Sequence, residues 1–270
     1  GVGVVCTLTG EDILLDRLSA DDRRRAIELI AERGRDVDGF ICVTRYYEQY
    51  AAEQFGLPRD RLHYVPLGIH IDDALVNDGK RSSVFTIGYL ARICHEKGLH
   101  LACAAMARLV SQGRDCRLVA AGTLGKSDRG YFEDQVAKLS PAIASRFEYV
   151  GELDRAEKFR FLRSLDVFTV PTIYREAKGL YLLEALSQGV PGVQPAHGSF
   201  PELIEQTGGG VLFKPLDPVD LAAKLAELMD NPALRRQPGE HGARSVRERF
   251  TDEVMAEAAW RIFERYARKA

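Results

Sequence analysis

The chain has 270 residues, 46% of them hydrophobic and 28% charged, with a formal charge of −2. That length and balance supply two modest cores or one large one, and the near-neutral charge gives no electrostatic reason to expect a nucleic-acid partner. No apolar run approaches the ~18 residues of a membrane-spanning helix, and the beginning lacks the basic stretch that opens a signal peptide.

In chain order, strand and helix patterns alternate. Residues 2–8 read as a strand, 19–33 as a helix, 39–44 as a second strand and 45–55 as a second helix, before the strand and turn at 62–68. The apolar run 84–90 is a buried strand. It is followed by Ala91-Arg92-Ile-Cys-His-Glu-Lys97-Gly98 and an amphipathic helix over 99–110. Then come a strand at 116–122, a helix at 131–139, a strand at 147–151, a helix at 155–164, a strand at 166–170 and a helix at 180–188. A short strand at 191–194, a short helix at 200–205 and a strand at 210–213 follow. Asp217 caps a helix to Met229, Asn231-Pro232 begins another, and Thr251 is the N-cap candidate of the last helix, 253–267. Met255, Ala259, Trp260, Phe263 and Tyr266 give that helix a wide stripe, read as core packing. Repeated βα units predict a parallel sheet with helices on both faces, whose ligand lies past the carboxyl ends of the strands. Arg92, Lys97, Gly122, Gly151, Glu176 and Glu184 all follow predicted strands and are expected on one edge.

The five cysteines (Cys6, Cys42, Cys94, Cys103, Cys116) form no CxxC and are odd in number, the pattern of reduced core thiols in a cytoplasmic protein. Cys94-His95 has no further ligands at suitable spacing, so no metal site is expected.

The segment from Pro171 to Pro191 is the most informative. Gly179 opens a helix that is apolar on nearly every side, yet Glu184 lies within it, expensive to bury unless something binds it. Glu176 lies in the preceding loop, beside helix N-terminal amides that suit an anion. An exposed loop carboxylate and a half-exposed helix carboxylate would be the plainer account of such a pair. However, Glu176-Ala-Lys178-Gly179-Leu180-Tyr-Leu-Leu-Glu184-Ala, with Gly189-Val-Pro191 after it, resembles the E-x7-E signature of retaining GT-B glycosyltransferases of the GT4 (group 1) family. Ala177 and Lys178 stand where the family usually has Pro-Phe. Arg92 and Lys97 match the cations with which the family grips the donor diphosphate. On physical grounds, two cations beside a helix start oppose its dipole, unless an anion sits between them.

The resemblance implies an α/β, GT-B type fold: a Rossmann-like doubly wound parallel sheet domain with part of a second Rossmann-like domain. Residues 1–73 would be the last part of the N-terminal, acceptor-side domain with its front missing. Residues 74–250 would bind the nucleotide sugar, and the helix at 251–270 would cross back to the N-terminal domain. The implied activity is sugar transfer from a nucleotide diphosphate sugar with retention, without metal or other cofactor, and weak in this chain alone. In this reading Arg92 and Lys97 hold the diphosphate with help from amides at Gly179 and Leu180. Glu184 accepts from the ribose, Glu176 positions the sugar hydroxyls, Lys178 joins the donor contacts, and Gly151, Glu152 and Leu153 cradle the base. Arg92, Lys97 and Glu176 form the expected catalytic set. The acceptor, a sugar, lipid or small molecule, is left open, as is peripheral membrane contact through the missing part. Thr9 stands where many members of the family have a sugar-contacting histidine. A non-catalytic nucleotide-sugar-binding module and a GT-B-like epimerase or phosphorylase are the alternatives. A Rossmann dehydrogenase is disfavoured, because no G-x-G-x-x-G follows an early strand.

Overall fold

The computed structural model describes residues 2–71 and 83–267. It divides into two units, Gly1–His70 with Glu176–Gly179 and Arg249–Ala270, and Ile71–Arg175 with Leu180–Glu248. The domain boundary expected at 73–74 lies outside the described residues.

The first unit holds a parallel three-stranded sheet, β1 (Val5–Leu8), β2 (Gly39–Cys42) and β3 (Leu62–Tyr64), in the order β1-β2-β3. β2 is buried along its whole length, whereas Cys6 and Thr7 on β1 are exposed. The helices of this unit are α1 (Asp12–Leu15), α2 (Ala20–Arg33) and α3 (Arg45–Gln54). Ser19 and Thr44 cap α2 and α3 by accepting from Asp22 N and Tyr47 N. Leu8, Phe40, Cys42, Tyr47, Phe55 and Leu62 form the core, and Ala177 packs into it.

Further along the chain, the second unit contains β4 (Phe85–Leu90), α4 (Leu99–Ser111), β5 (Cys116–Ala121), α5 (Arg129–Ala137), α6 (Pro141–Ala144), β6 (Phe147–Tyr149), α7 (Arg155–Arg163) and β7 (Val167–Phe168). Then come α8 (Leu180–Ser187), β8 (Gly192–Pro195), α9 (Phe200–Thr207), β9 (Gly210–Phe213), α10 (Pro218–Asp230) and α11 (Pro232–Arg249). Its strands are parallel in the order β6-β5-β4-β7-β8-β9. This is the doubly wound order, with the reversal between β4 and β7. Ile87, Leu118, Val167, Phe168 and Val193 fill the sheet, with Leu99, Met106, Leu109, Leu221 and Leu225 packed in the same core. The central strands β4 and β7 are buried along nearly their whole length, which is why they read as unbroken apolar runs. β7 is shorter than expected from the apolar run. Beyond it Asp166 N and Thr169 N still donate to Thr86 O and Gly88 O of β4, and the buried Asp166 carboxylate accepts from Thr86 N at 2.9 Å. Among the described residues no helix is long and apolar enough to cross a membrane.

The last helix, α12 (Asp252–Ala267), belongs to the first unit. Its stripe is not core packing throughout: Tyr266 is 3% exposed, but Trp260 is 62% and Phe263 45% exposed. At about 100° per residue, Met255, Ala259 and Tyr266 fall within about 40° of one another. Trp260 lies about 120° from Tyr266, beyond the reach of one buried face. The Tyr266 hydroxyl meets His63 Nε2 at 2.8 Å, and its ring occupies the space a side chain at Gly39 would need.

Burial, with Arg265 nearby, lowers the His63 pKa from its ordinary 6.5. A histidine held neutral in the fold stabilises above the unfolded value and loses that contribution as pH falls through the folded one. Thermal melts should therefore show stability declining from pH 6.5 downwards, and His63→Gln should flatten that part of the profile. An unchanged profile in the variant would assign the decline to other groups.

Candidate donor-binding site

Two loops meet where the strand order of the second unit reverses. The first leaves β4 while still bonded to its neighbour: Ala91 N donates to Ala121 O at 3.2 Å and Ile93 N to Thr123 O at 2.9 Å. Ile93 and Cys94 are buried, which holds the loop down, while Arg92 between them and the strand is exposed. A hydrogen bond with Cys94, with the Asp128 and Glu96 carboxylates beyond, raises the Arg92 pKa further, so the guanidinium stays charged. A single 3-10 turn, His95–Lys97, then delivers Gly98 in the left-handed region at φ 73°, and α4 begins. Gly98 is required twice over. Its φ suits glycine, and a Cβ there would stand 1.8 Å from Pro171 O.

Pro171 lies on the second loop, which follows β7. Ile173 N donates to Glu96 O at 3.0 Å, tying the two loops together. The Lys97 ammonium is hydrogen-bonded to the Tyr174 hydroxyl and lies 5.0 Å from the ring centroids of both Tyr174 and Tyr181. Tyr181 is on α8, the helix that Gly179 opens at φ 68°.

Glu184, on the second turn of α8, has its own counterion. Its Oε1 is 2.5 Å from Lys158 Nζ on α7, with the two side chains 19% and 26% exposed. The cost of half-burying this carboxylate is thus met within the protein by a residue that no local pattern singled out.

On the other side of β4, Gly122 N donates to Gly151 O at 2.8 Å and the Tyr149 hydroxyl donates to Gly122 O at 2.7 Å, joining the ends of β5 and β6. Beside them opens a cavity of about 440 Å³, walled by Leu124, Phe132 and Tyr149 with Arg129, Glu133 and Glu152 around it. Its apolar walls and mixed charges suit a flat, hydrogen-bonding ring.

The expected residues therefore divide. Arg92, Lys97, Gly151, Glu152, Leu153, Leu180 and Glu184 belong to the second unit, and Glu176, Lys178 and Gly179 to the first. In the first unit Glu176 is 4% exposed and its Oε1 accepts from Lys178 N at 3.3 Å. Next to it Ala177 O accepts from Thr44 Oγ1 at 3.0 Å. Thr9 N and Gly10 N donate to the Glu11 carboxylate, which also accepts from the Tyr47 hydroxyl at 2.8 Å, so Glu11 closes the turn that carries Thr9.

The family model described as "Glycosyl transferases group 1" matches residues 73–245. The chain belongs to this family. Among its relatives, a glycogen synthase of Mycobacterium tuberculosis is 34% identical over 165 residues, 61% of this chain and 38% of that protein. A phosphatidyl-myo-inositol mannosyltransferase of the same species is 28% identical over 238 residues, 85% of this chain and 60% of that protein. The chain thus spans between about two fifths and three fifths of these relatives. The structure is similar to that of sucrose-phosphate synthase from Thermosynechococcus elongatus, with TM-score 0.81 and 20% identity over 98% of this chain and 68% of that one. It is also similar to Anabaena Alr3699/HepE in complex with UDP and glucose, with TM-score 0.79 and 18% identity over 97% and 70%. The fold is the α/β GT-B type expected.

Proposed function

We propose that this group 1 family member binds a nucleotide diphosphate sugar and transfers its sugar to an acceptor hydroxyl, with retention and without a metal, in the manner of the GT4 family. The observation that carries the reading is the junction of the two loops at the strand reversal. There Lys97 is fixed between them at the carboxyl ends of β4 and β7, where doubly wound sheets bind ligands. Arg92 and Lys97 hold the diphosphate and offset the charge that grows on it as the bond to the sugar breaks. Glu184 receives the ribose hydroxyls, and the cavity beside Glu152 takes the base. Glu176 is assigned to the sugar hydroxyls by its register in the E-x7-E segment. The three-stranded first unit offers less of a frame than the six-stranded second, so residues 1–270 are proposed to hold a donor well and to act on an acceptor weakly.

Calorimetry of the chain with UDP, GDP and ADP in EDTA tests this reading. At least one should bind more tightly than its nucleoside; a folded sample that binds none overturns it. Arg92→Ala and Lys97→Ala should each weaken that diphosphate roughly ten- to a hundred-fold, the span of a charge-assisted hydrogen bond worth ~1.5–3 kcal/mol, and leave the nucleoside unchanged. Parent-like diphosphate affinity in both variants would remove the phosphate assignment.

A further inference from the structure

We infer that Tyr174 and Tyr181 are positioning residues, a two-tyrosine clamp that presents the Lys97 ammonium to the donor diphosphate, one through its hydroxyl and the other through its ring; this rests on the reading of Lys97 given above. The Tyr181 ring centroid lies 5.0 Å from Nζ, and the Tyr174 hydroxyl is bonded to it, with the ammonium off the hydroxyl end of that ring. Each tyrosine is anchored in its own way. Tyr181 packs against the fully buried Phe168 and Phe200 with centroids 6.0 and 6.2 Å away. The backbone at Tyr174 is held by Thr172 Oγ1, which donates to Tyr174 O at 3.0 Å, and by the bond from Ile173 N to Glu96 O at 3.0 Å. The rings are therefore the frame and the lysine is what they hold.

The choice of residue is informative. Position 181 lies in a helix whose neighbours Leu180, Leu182 and Leu183 are aliphatic, and packing alone would be served by another leucine. An aromatic face adds an attraction for a cation that leucine lacks. It also differs from a carboxylate in a way that matters here. A carboxylate in the place of the ring would neutralise the ammonium, whereas a neutral ring attracts it without doing so. Lysine is the flexible, readily displaced alternative to arginine, so its phosphate contact gains most from such a frame.

The test is calorimetry on the whole chain with UDP, GDP and ADP and their nucleosides, alongside thermal melts. Tyr181→Leu should weaken the bound diphosphate about two- to thirty-fold, the span of one cation–π contact, and leave its nucleoside unchanged. Tyr181→Phe, which keeps the ring, should restore parent affinity. Tyr174→Phe, which removes the hydroxyl bonded to the ammonium, should show a loss of similar size. In a Lys97→Ala background Tyr181→Leu should have no further effect, because the ring acts through the lysine. Equal losses for nucleoside and diphosphate, no rescue by phenylalanine, or additivity with Lys97→Ala would overturn the clamp and make the rings ordinary packing. If Lys97→Ala weakens the diphosphate while the tyrosine variants do not, the clamp falls and the lysine reading stands. If Lys97→Ala changes nothing, or no diphosphate binds, both fall.

Discussion

Gly98→Ala is expected to lower stability by about 3 kcal/mol or more and to abolish nucleoside diphosphate binding. The left-handed φ of 73° is one part of the cost. The larger part is a Cβ that would stand 1.8 Å from Pro171 O, a backbone atom that can yield only if the loop after β7 moves. Ile173 N and the Tyr174 hydroxyl are bonded into the loop after β4, so that movement would take the partner of Lys97 with it. Gly113 supplies the comparison. Its φ is 79°, but nothing lies within 4 Å of where its Cβ would be. Gly113→Ala should therefore cost only the backbone preference, about 1–2 kcal/mol, and leave binding intact. Denaturant melts and calorimetry on the two variants separate strain from closeness of approach. If Gly98→Ala proves no worse than Gly113→Ala and still binds, the loop junction does not position Lys97.

The same junction shows what could and could not be read from the chain. β4 and β5 are covered on both faces, so they stand out as apolar runs, and Asp217 and Asn231 announce helix starts by their capping chemistry. Arg92 and Lys97 were visible as cations beside a helix start. The clamp around Lys97 was not. Tyr174 is 77 residues away along the chain, and nothing in local periodicity links a lysine in one loop to a tyrosine in another. Lys158 was hidden for the same reason, since its partner Glu184 sits on a different helix. On α12 the signal misled. Trp260 lies about 120° around the helix from Tyr266 and is 62% exposed, and Phe263, only about 60° from Tyr266, is still 45% exposed, so a shared apolar character does not make one buried stripe. The short helix α1 escaped because four residues are too few to show a period.

Exchanging each glutamate of the E-x7-E segment for glutamine should give two different phenotypes. Glu184 is paired with Lys158 at 2.5 Å, and its proposed ligand is the ribose, which every form of the donor carries. Glu184→Gln should therefore weaken nucleoside, nucleoside diphosphate and nucleotide sugar alike, roughly ten-fold for one hydrogen bond to a charged group. The uncompensated Lys158 is only partly buried and can reach solvent, which limits the loss of stability to about 1 kcal/mol. Glu176 is 4% exposed and accepts from Lys178 N, a bond that a glutamine carbonyl can also accept, so Glu176→Gln should keep that turn and fold, which a thermal melt checks. What the exchange removes is the negative charge beside the transferred sugar. If electrostatic stabilisation there is of the usual size for a preorganised group, transfer should fall roughly 10²–10³-fold while free UDP or GDP binds as before. Calorimetry separates the two variants before any acceptor is known, and donor turnover then measures the second effect. Identical profiles for the two would mean that the carboxylates act as one unit on the same part of the donor. A loss of free-nucleotide binding in Glu176→Gln alone would exchange the two roles, placing the sugar at Glu184 on α8.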